Sequence, residues 1–234
     1  MSVDLLVFGP HPDVLEIGLG ATIARHVSLG LTVGLCDLTA GEMGSNGTVE
    51  SRLAEGEAAR AVLGAAWREN LRWPDRRIGK DSDHVAQAAS FIRRHCPRAI
   101  AMPYWSDRHP DHVAASEVLT EAAFNAGLRR YQAEGDAWKV EWTCYYFIND
   151  SVSPSFLIDV SDCYQKKRDA LDCHASQFQR ALPGSADTRL NTPIFRQLIE
   201  SRDAQFGALA GVTWAEGFVV REPIVRSSLM KVAR

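Results

Sequence analysis

The chain has 234 residues, 46% of them hydrophobic and 24% charged, with a formal net charge of −3. This is long enough for one sizeable α/β domain, 1–234, and ordinary for a soluble globular protein. The charge gives no reason to expect nucleic acid or an anionic membrane as partner, and no stretch approaches the roughly 20 apolar residues of a membrane-spanning helix.

Five cysteines (Cys36, Cys96, Cys144, Cys163 and Cys173) lack C-x-x-C spacing and lie in apolar segments, so reduced, mostly buried thiols are expected. The N-terminus has neither a basic start nor an apolar run of signal-peptide length, which makes the cytoplasm the default location.

The apolar run Leu5–Phe8 stops at Gly9-Pro10 and passes into His11-Pro12-Asp13. It reads as a parallel strand buried on both faces. Its His and carboxylate then lie just beyond the strand's carboxyl end, where open α/β sheets place their ligands. Gly18 and Gly20 precede a predicted helix over 21–27, closed by Gly30, and 32–39 reads as a second strand. Strand, helix and strand at this spacing make a βαβ unit. Gly18-Leu19-Gly20 is a poor dinucleotide loop, because position 23 is Ile and His-Pro-Asp occupies the turn.

Residues 40–48 form a Gly-rich polar loop in which Asn46-Gly47-Thr48 reads as a turn, and Thr48 is placed to cap a helix over 49–63. Arg52 falls in that helix's first turn, against the dipole. It either pairs with Glu55 or Glu57 or faces an anionic substrate group, and the residues leave both open. Asn70–Trp73 predicts a short strand and Pro74–Arg77 a polar loop, followed by a helix capped by Ser82 or Asp83 and running to about His95. His84 and His95 on it read as surface residues.

A strand ending at Tyr104 leads into Asp107-Arg108-His109-Pro110-Asp111-His112, then a helix to Ala126 with Gly127 as its C′ residue. Two strands follow (139–148 and 155–160), then a helix from Ser161-Asp162 to about Phe178 carrying a structural His174. A loop (181–191), a helix (192–208) and a last strand (213–220) with a bulge at Gly217 complete the chain.

Hydrolytic metal sites use three ligands drawn from His and carboxylate and leave one position for water. His11 and His112 fit that role from two strand ends. Asp13 is the natural base that takes the water proton and returns it to the leaving group. His109, oriented by Asp111, would stay protonated and stabilise an oxyanion. One His-Pro-Asp alone would be a proline-stiffened turn; two, each after a buried strand, indicate a divided metal and acid–base site.

Gly-Pro-His-Pro-Asp followed by Glu16-Ile17-Gly18 and Gly20, with the Asp-Arg-His-Pro-Asp-His element, resembles the LmbE-like (PIG-L) zinc N-deacetylases. Agreement continues through Ser45–Glu50, Arg52, Pro74-Asp75-Arg76, Tyr145-Tyr146, Ser176-Gln177-Phe178 and Ala215–Phe218, and is strongest toward the bacillithiol-pathway deacetylases of N-acetylglucosaminyl L-malate. The resemblance implies a Rossmann-like three-layer sandwich with a mostly parallel sheet. It implies Zn2+ or another divalent ion on His11 and His112, Asp13 as base and acid, His109 with Asp111 at the oxyanion, and Ser45, Asn46 and Arg52 toward the substrate. It also implies a homo-oligomer, with a hexamer as one form. Arg108 is the residue suited to the malate carboxylates, since a guanidinium binds carboxylate bidentately.

One position departs from the pattern. The family's third metal ligand is an Asp where this chain has Val14. Asp13 could turn onto the metal, Glu16 could reach in, or the ion is held loosely or not at all. The chain is then an active deacetylase or an impaired relative that binds a glycoside without turnover.

Overall fold

A computed structural model describes residues 2–79, 82–179, 184–225 and 228; the start of the loop expected over 181–191 lies outside them. In chain order the elements are β1 (Leu5–Gly9), α1 (Val14–Ser28), β2 (Val33–Thr39), α2 (Val49–Leu63), β3 (Trp67–Trp73), α3 (Ser82–His95), β4 (Ala99–Pro103) and α4 (Pro110–Ala126). There follow β5 (Trp142–Tyr146), β6 (Phe156–Asp159), α5 (Tyr164–Cys173), α6 (Ala175–Phe178), α7 (Pro193–Ala210) and β7 (Ala215–Val219). Among the described residues seven strands form one sheet in the order β3-β2-β1-β4-β5-β7-β6.

The strands from β3 to β5 run parallel, and β7 and β6 close the sheet antiparallel. In β1 successive side chains point to opposite faces. Leu5 and Val7 join a core that includes α1, α2, α5 and α7, while Leu6 and Phe8 join one with α3 and α4. The result is the expected Rossmann-like three-layer sandwich. Leu5 of β1 faces both Val33 of β2 and Ala99 of β4, so the turns after β1 and β4 emerge side by side at the carboxyl edge.

Several local expectations need correction. Helix α1 begins at Val14, well before the predicted start, and is broken at Leu19 (φ −147°, ψ 28°). The carboxylate of Glu216, on β7, accepts the freed Ala21 and Thr22 N–H groups at 3.3 and 2.6 Å. The two glycines that look like a loop signal are packing positions instead. A Cβ at Gly18 would lie 2.3 Å from the Tyr146 ring, and one at Gly20 3.3 Å from Lys167.

His84 and His95 are not on the surface. His84 stacks on Trp73 with centroids 4.2 Å apart, and His95 packs on Trp67 at 4.3 Å. The β6–β7 register is continuous through Gly217, so there is no bulge; the glycine makes room for the Phe206 ring. Gly127 adopts right-handed helical angles (φ −78°) rather than a left-handed cap. His174 divides α5 from α6 and is fully buried, the structural role expected of it. All five cysteines are free thiols. Among the described residues no helix is long and apolar enough to cross a membrane.

Candidate active site

The turn after β1 is held in an uncommon backbone conformation. Asp13 has φ 122° and ψ −26°, a region that costs a non-glycine residue about 1–3 kcal/mol. Arg52 is what holds it. Its Nη2 donates to the Pro12 carbonyl at 2.9 Å and lies 3.4 Å from Asp13 Oδ1, and its Nη1 donates to the Gly41 carbonyl at 2.9 Å. The pairing of Arg52 with Glu55 or Glu57 is not made, while Arg52 does line the cavity above the turns. Glu55 is engaged by Ser176 and Glu57 by Arg60, while buried Arg52 ties the β1–α1 turn to the β2–α2 loop.

The turn after β4 is unstrained. His109 caps α4 with φ −90°, and Pro110 takes the first helical turn, where its missing N–H costs nothing. Asp107, which sequence reading passed over, organises it. One carboxylate oxygen lies 3.0 Å from His112 Nδ1 and accepts the His109 N–H at 2.8 Å and the Asn149 side-chain amide at 2.9 Å. The other accepts the Asn149 N–H at 3.0 Å. Burial opposes its charge, but the His112 and backbone hydrogen bonds outweigh that and hold the carboxyl below the usual range.

These partners fix the imidazole tautomers. His112 gives its Nδ1 proton to Asp107, leaving the Nε2 lone pair for a ligand. Burial lowers its pKa, so the ring is neutral at neutral pH. His109 is the reverse. Its Nδ1 accepts the Asp111 N–H at 3.2 Å, so its proton sits on Nε2. Burial, then the neighbouring His112 and His11, push its pKa down to about 4. His109 is therefore a neutral hydrogen-bond donor rather than the protonated ring expected. Its orientation comes from the Asp111 backbone, not from the Asp111 carboxylate.

That carboxylate points elsewhere. His11 Nε2 lies 3.1 Å from both Asp111 Oδ2 and Asp75 Oδ1, the latter from the loop after β3. Burial disfavours a charged His11 ring, but its bonds to Asp111 and then Asp75 raise its pKa to about 9. Asp111 Oδ1 also accepts from Arg76 at 2.7 Å. Asp75 is another site residue for which sequence reading named no role, although it is a carboxylate in a polar turn directly after a strand and stands in the Pro74-Asp75-Arg76 element of the family resemblance.

Beneath the turns, Glu16 is fully buried with Arg68 Nη1 at 2.6 Å and His174 Nε2 at 3.3 Å, and Arg68 also grips Asp37. Glu16 is thus committed to the floor and does not reach into the site as a ligand. Above it opens a cavity of about 450 Å³ lined by His11, Asp13, Val14, Arg52, Asp75, Arg108, His109, His112 and Ser45. Arg108 and Ser45 are exposed at its rim. Asn46 is not among the lining residues. Its side chain binds the Ala186 backbone at both amide ends, bracing the loop before α7.

The donor set suits a divalent metal. Ligand atoms of His11, His109 and Asp111 lie within 4.8 Å of one another. A cationic His11 between two carboxylates marks a place that holds positive charge. Proximity favours His109 as partner to His11, whereas the tautomers favour His112. The tautomers decide more, because coordination needs the lone pair that His112 Nε2 offers.

Residues 6–123 match the PIG-L family, described as GlcNAc-PI de-N-acetylase. The chain belongs to that family. Diacetylchitobiose deacetylase of Thermococcus kodakarensis is 28% identical over 228 positions, covering 91% of this chain and 81% of the relative. The crystal structure of the conserved protein TT1542 from Thermus thermophilus aligns with a TM-score of 0.89 at 36% identity, over 98% of this chain and all of that one. The 4-carboxy-2-hydroxymuconate hydratase GalB of Pseudomonas putida KT2440 shares the fold at 21% identity and TM-score 0.80, over 98% of this chain and 100% of its own. A PIG-L fold is therefore compatible with more than one reaction, and the residues at the carboxyl edge must carry the functional argument.

Proposed function

We propose that this PIG-L protein is a metal-dependent N-deacetylase of a small N-acetylglucosaminide, with N-acetylglucosaminyl L-malate of bacillithiol biosynthesis as the preferred substrate and zinc as the preferred ion. The observation that supports this best is the convergence of His11, Asp75, His109 and His112 on a cavity of about 450 Å³ that Asp13 also lines, with Asp111 bonded to His11. The family description and the chitobiose-acting relative supply the N-acetylglucosamine chemistry.

His11 and His112 would hold the ion. When bound, such an ion acidifies a water and polarises an amide carbonyl. Asp13 then takes a proton from the attacking water and returns it to the departing sugar amine, so that acetate and a free amine leave. Its strained backbone, pinned by Arg52, aims the carboxylate into the cavity. His109 Nε2–H, neutral and fixed by the Asp111 N–H, donates to the oxygen that gains charge. Arg108 at the rim meets the malate carboxylates, and Ser45, also exposed at the cavity, meets the sugar. A homo-oligomer, a hexamer by family resemblance, completes the proposal and is open to light scattering.

Val14 favours a second reading, because a buried valine stands where the family places a carboxylate. In that case the protein binds the glycoside without turning it over. The deciding assay measures acetate release and bound metal for the wild type and Val14→Asp with N-acetylglucosaminyl malate and diacetylchitobiose. Turnover by the metal-loaded wild type removes the second reading. Stoichiometric metal in Val14→Asp with no acetate from either substrate would overturn the first.

A further inference from the structure

Val14 is buried, lines the cavity and carries no lone pair. If the site takes a metal, a carboxylate from elsewhere must complete the set, and the surrounding carboxylates can be sorted by what already holds them. Glu16 lies in the floor between Arg68 and His174. Asp13 is beside Arg52 and is the base the reaction requires. Asp111 has both oxygens occupied by Arg76, Oδ1 by the guanidinium at 2.7 Å and Oδ2 by the backbone N–H at 3.1 Å.

Asp75 is different. Its Oδ2 accepts the Met43 N–H at 3.0 Å, which sets the plane of the carboxylate, and its Oδ1 faces His11 Nε2 at 3.1 Å. Among the described residues no arginine or lysine bonds to it, so the charge of this buried carboxylate is met by His11. The backbone that carries it is well tied. The Asp75 N–H donates to Glu42 at 2.6 Å, and Arg77 N–H closes the turn onto the Pro74 carbonyl at 3.1 Å. Two donors sharing one tetrahedral zinc, each about 2.0–2.1 Å from it, sit about 3.3 Å apart. The separation of 3.1 Å between His11 Nε2 and Asp75 Oδ1 is close to that, with a proton now where both could face an ion.

We propose that Asp75 supplies the anionic ligand that position 14 lacks, so that His11, Asp75 and His112 form the metal site. The ligand has moved from the β1–α1 turn to the loop after β3, leaving Asp13 unencumbered as base. This rests on the metalloenzyme reading of the same cavity.

The test is zinc affinity by competition with a chromophoric chelator, together with the visible absorption of the Co2+-loaded protein. The proteins compared are the wild type, Asp75→Asn, Val14→Asp and the double variant Val14→Asp/Asp75→Asn. The expected result is stoichiometric binding by the wild type. Asp75→Asn should bind about 100-fold or more weaker with an altered Co2+ spectrum, beyond the 10–100-fold typical of a residue behind the ligands. The double variant should recover to within about tenfold of wild type, which also shows that the Asn is tolerated by the fold. Equal affinity and spectra for wild type and Asp75→Asn would overturn the proposal, as would a loss in Asp75→Asn that Val14→Asp does not restore. No binding by the wild type alongside tight binding by Val14→Asp would overturn it while leaving the family chemistry standing. Failure of both to bind metal would instead remove the metalloenzyme reading.

Discussion

The two His-Pro-Asp turns look alike in sequence and are built in opposite ways. After β4 the turn is made from local material: His109 caps the helix, Pro110 starts it, and Asp107 two residues upstream gathers the loose donors. After β1 the same three residue types adopt a strained φ of 122° at Asp13, and a distant arginine holds them there. On the proposed mechanism, His112 would present its lone pair from relaxed backbone, whereas Asp13, which would aim a carboxylate at the reacting atom, is on strained backbone stabilised from outside.

The largest expected effect comes from removing that outside support. Arg52→Ala leaves the buried Asp13 charge and two carbonyls without their donor, and should cost about 3–5 kcal/mol in urea denaturation. The floor beneath the first turn has its own acid sensitivity. Burial opposes the Glu16 charge, but Arg68 and then His174 hold its pKa near 2 against the usual 4.5. A lowered folded pKa means stability that is complete above about 4.5 and lost as the pH falls toward about 2. Glu16→Gln should flatten the wild-type decline in urea midpoint across that window.

In the second turn, Asp107→Asn keeps the shape but loses the charge that His112 and three N–H donors share. A loss of about 2 kcal/mol is expected, with metal affinity down about 10–100-fold by chelator competition. The smallest effects separate the backbones directly. Glycine at 13 should be more stable than alanine by about 1–2 kcal/mol, because it accepts a positive φ. At 111, in the first turn of α4, alanine should exceed glycine by up to about 1 kcal/mol. Thermal melts of the four variants check the reversal of sign, and equal ordering at both positions would refute the comparison.

The regularities of the chain were legible because they are local. Buried parallel strands read as short apolar runs, Thr48 announced α2, and two strand ends bearing His and Asp marked the carboxyl edge. What could not be read was set by distant partners. The targets of Arg52 are Pro12 and Gly41, reached only when α2 packs beside the first turn. The start of α1 was hidden because Gly18 looks like a helix breaker until the Tyr146 ring lies against it. His84 and His95 looked solvent-facing on an amphipathic pattern, yet Trp73 and Trp67 cover them. Asp75 and Asp107 stand within elements of the family resemblance but could be given no role there, because their roles exist only as neighbours of His11 and His112.

The break in α1 has a consequence for how the protein is made. The N–H groups it exposes at Ala21 and Thr22 are capped by Glu216, 195 and 194 residues further along the chain, and Arg202 ties the Ile17 carbonyl from 185 residues away. During synthesis the turn after β1 emerges well before its supports on α7 and β7. Contacts of such sequence separation form late and slow folding. A ribosome-bound chain released before β7 would therefore carry both His-Pro-Asp motifs but an unfinished first helix, so the cavity closes only after β7 has emerged.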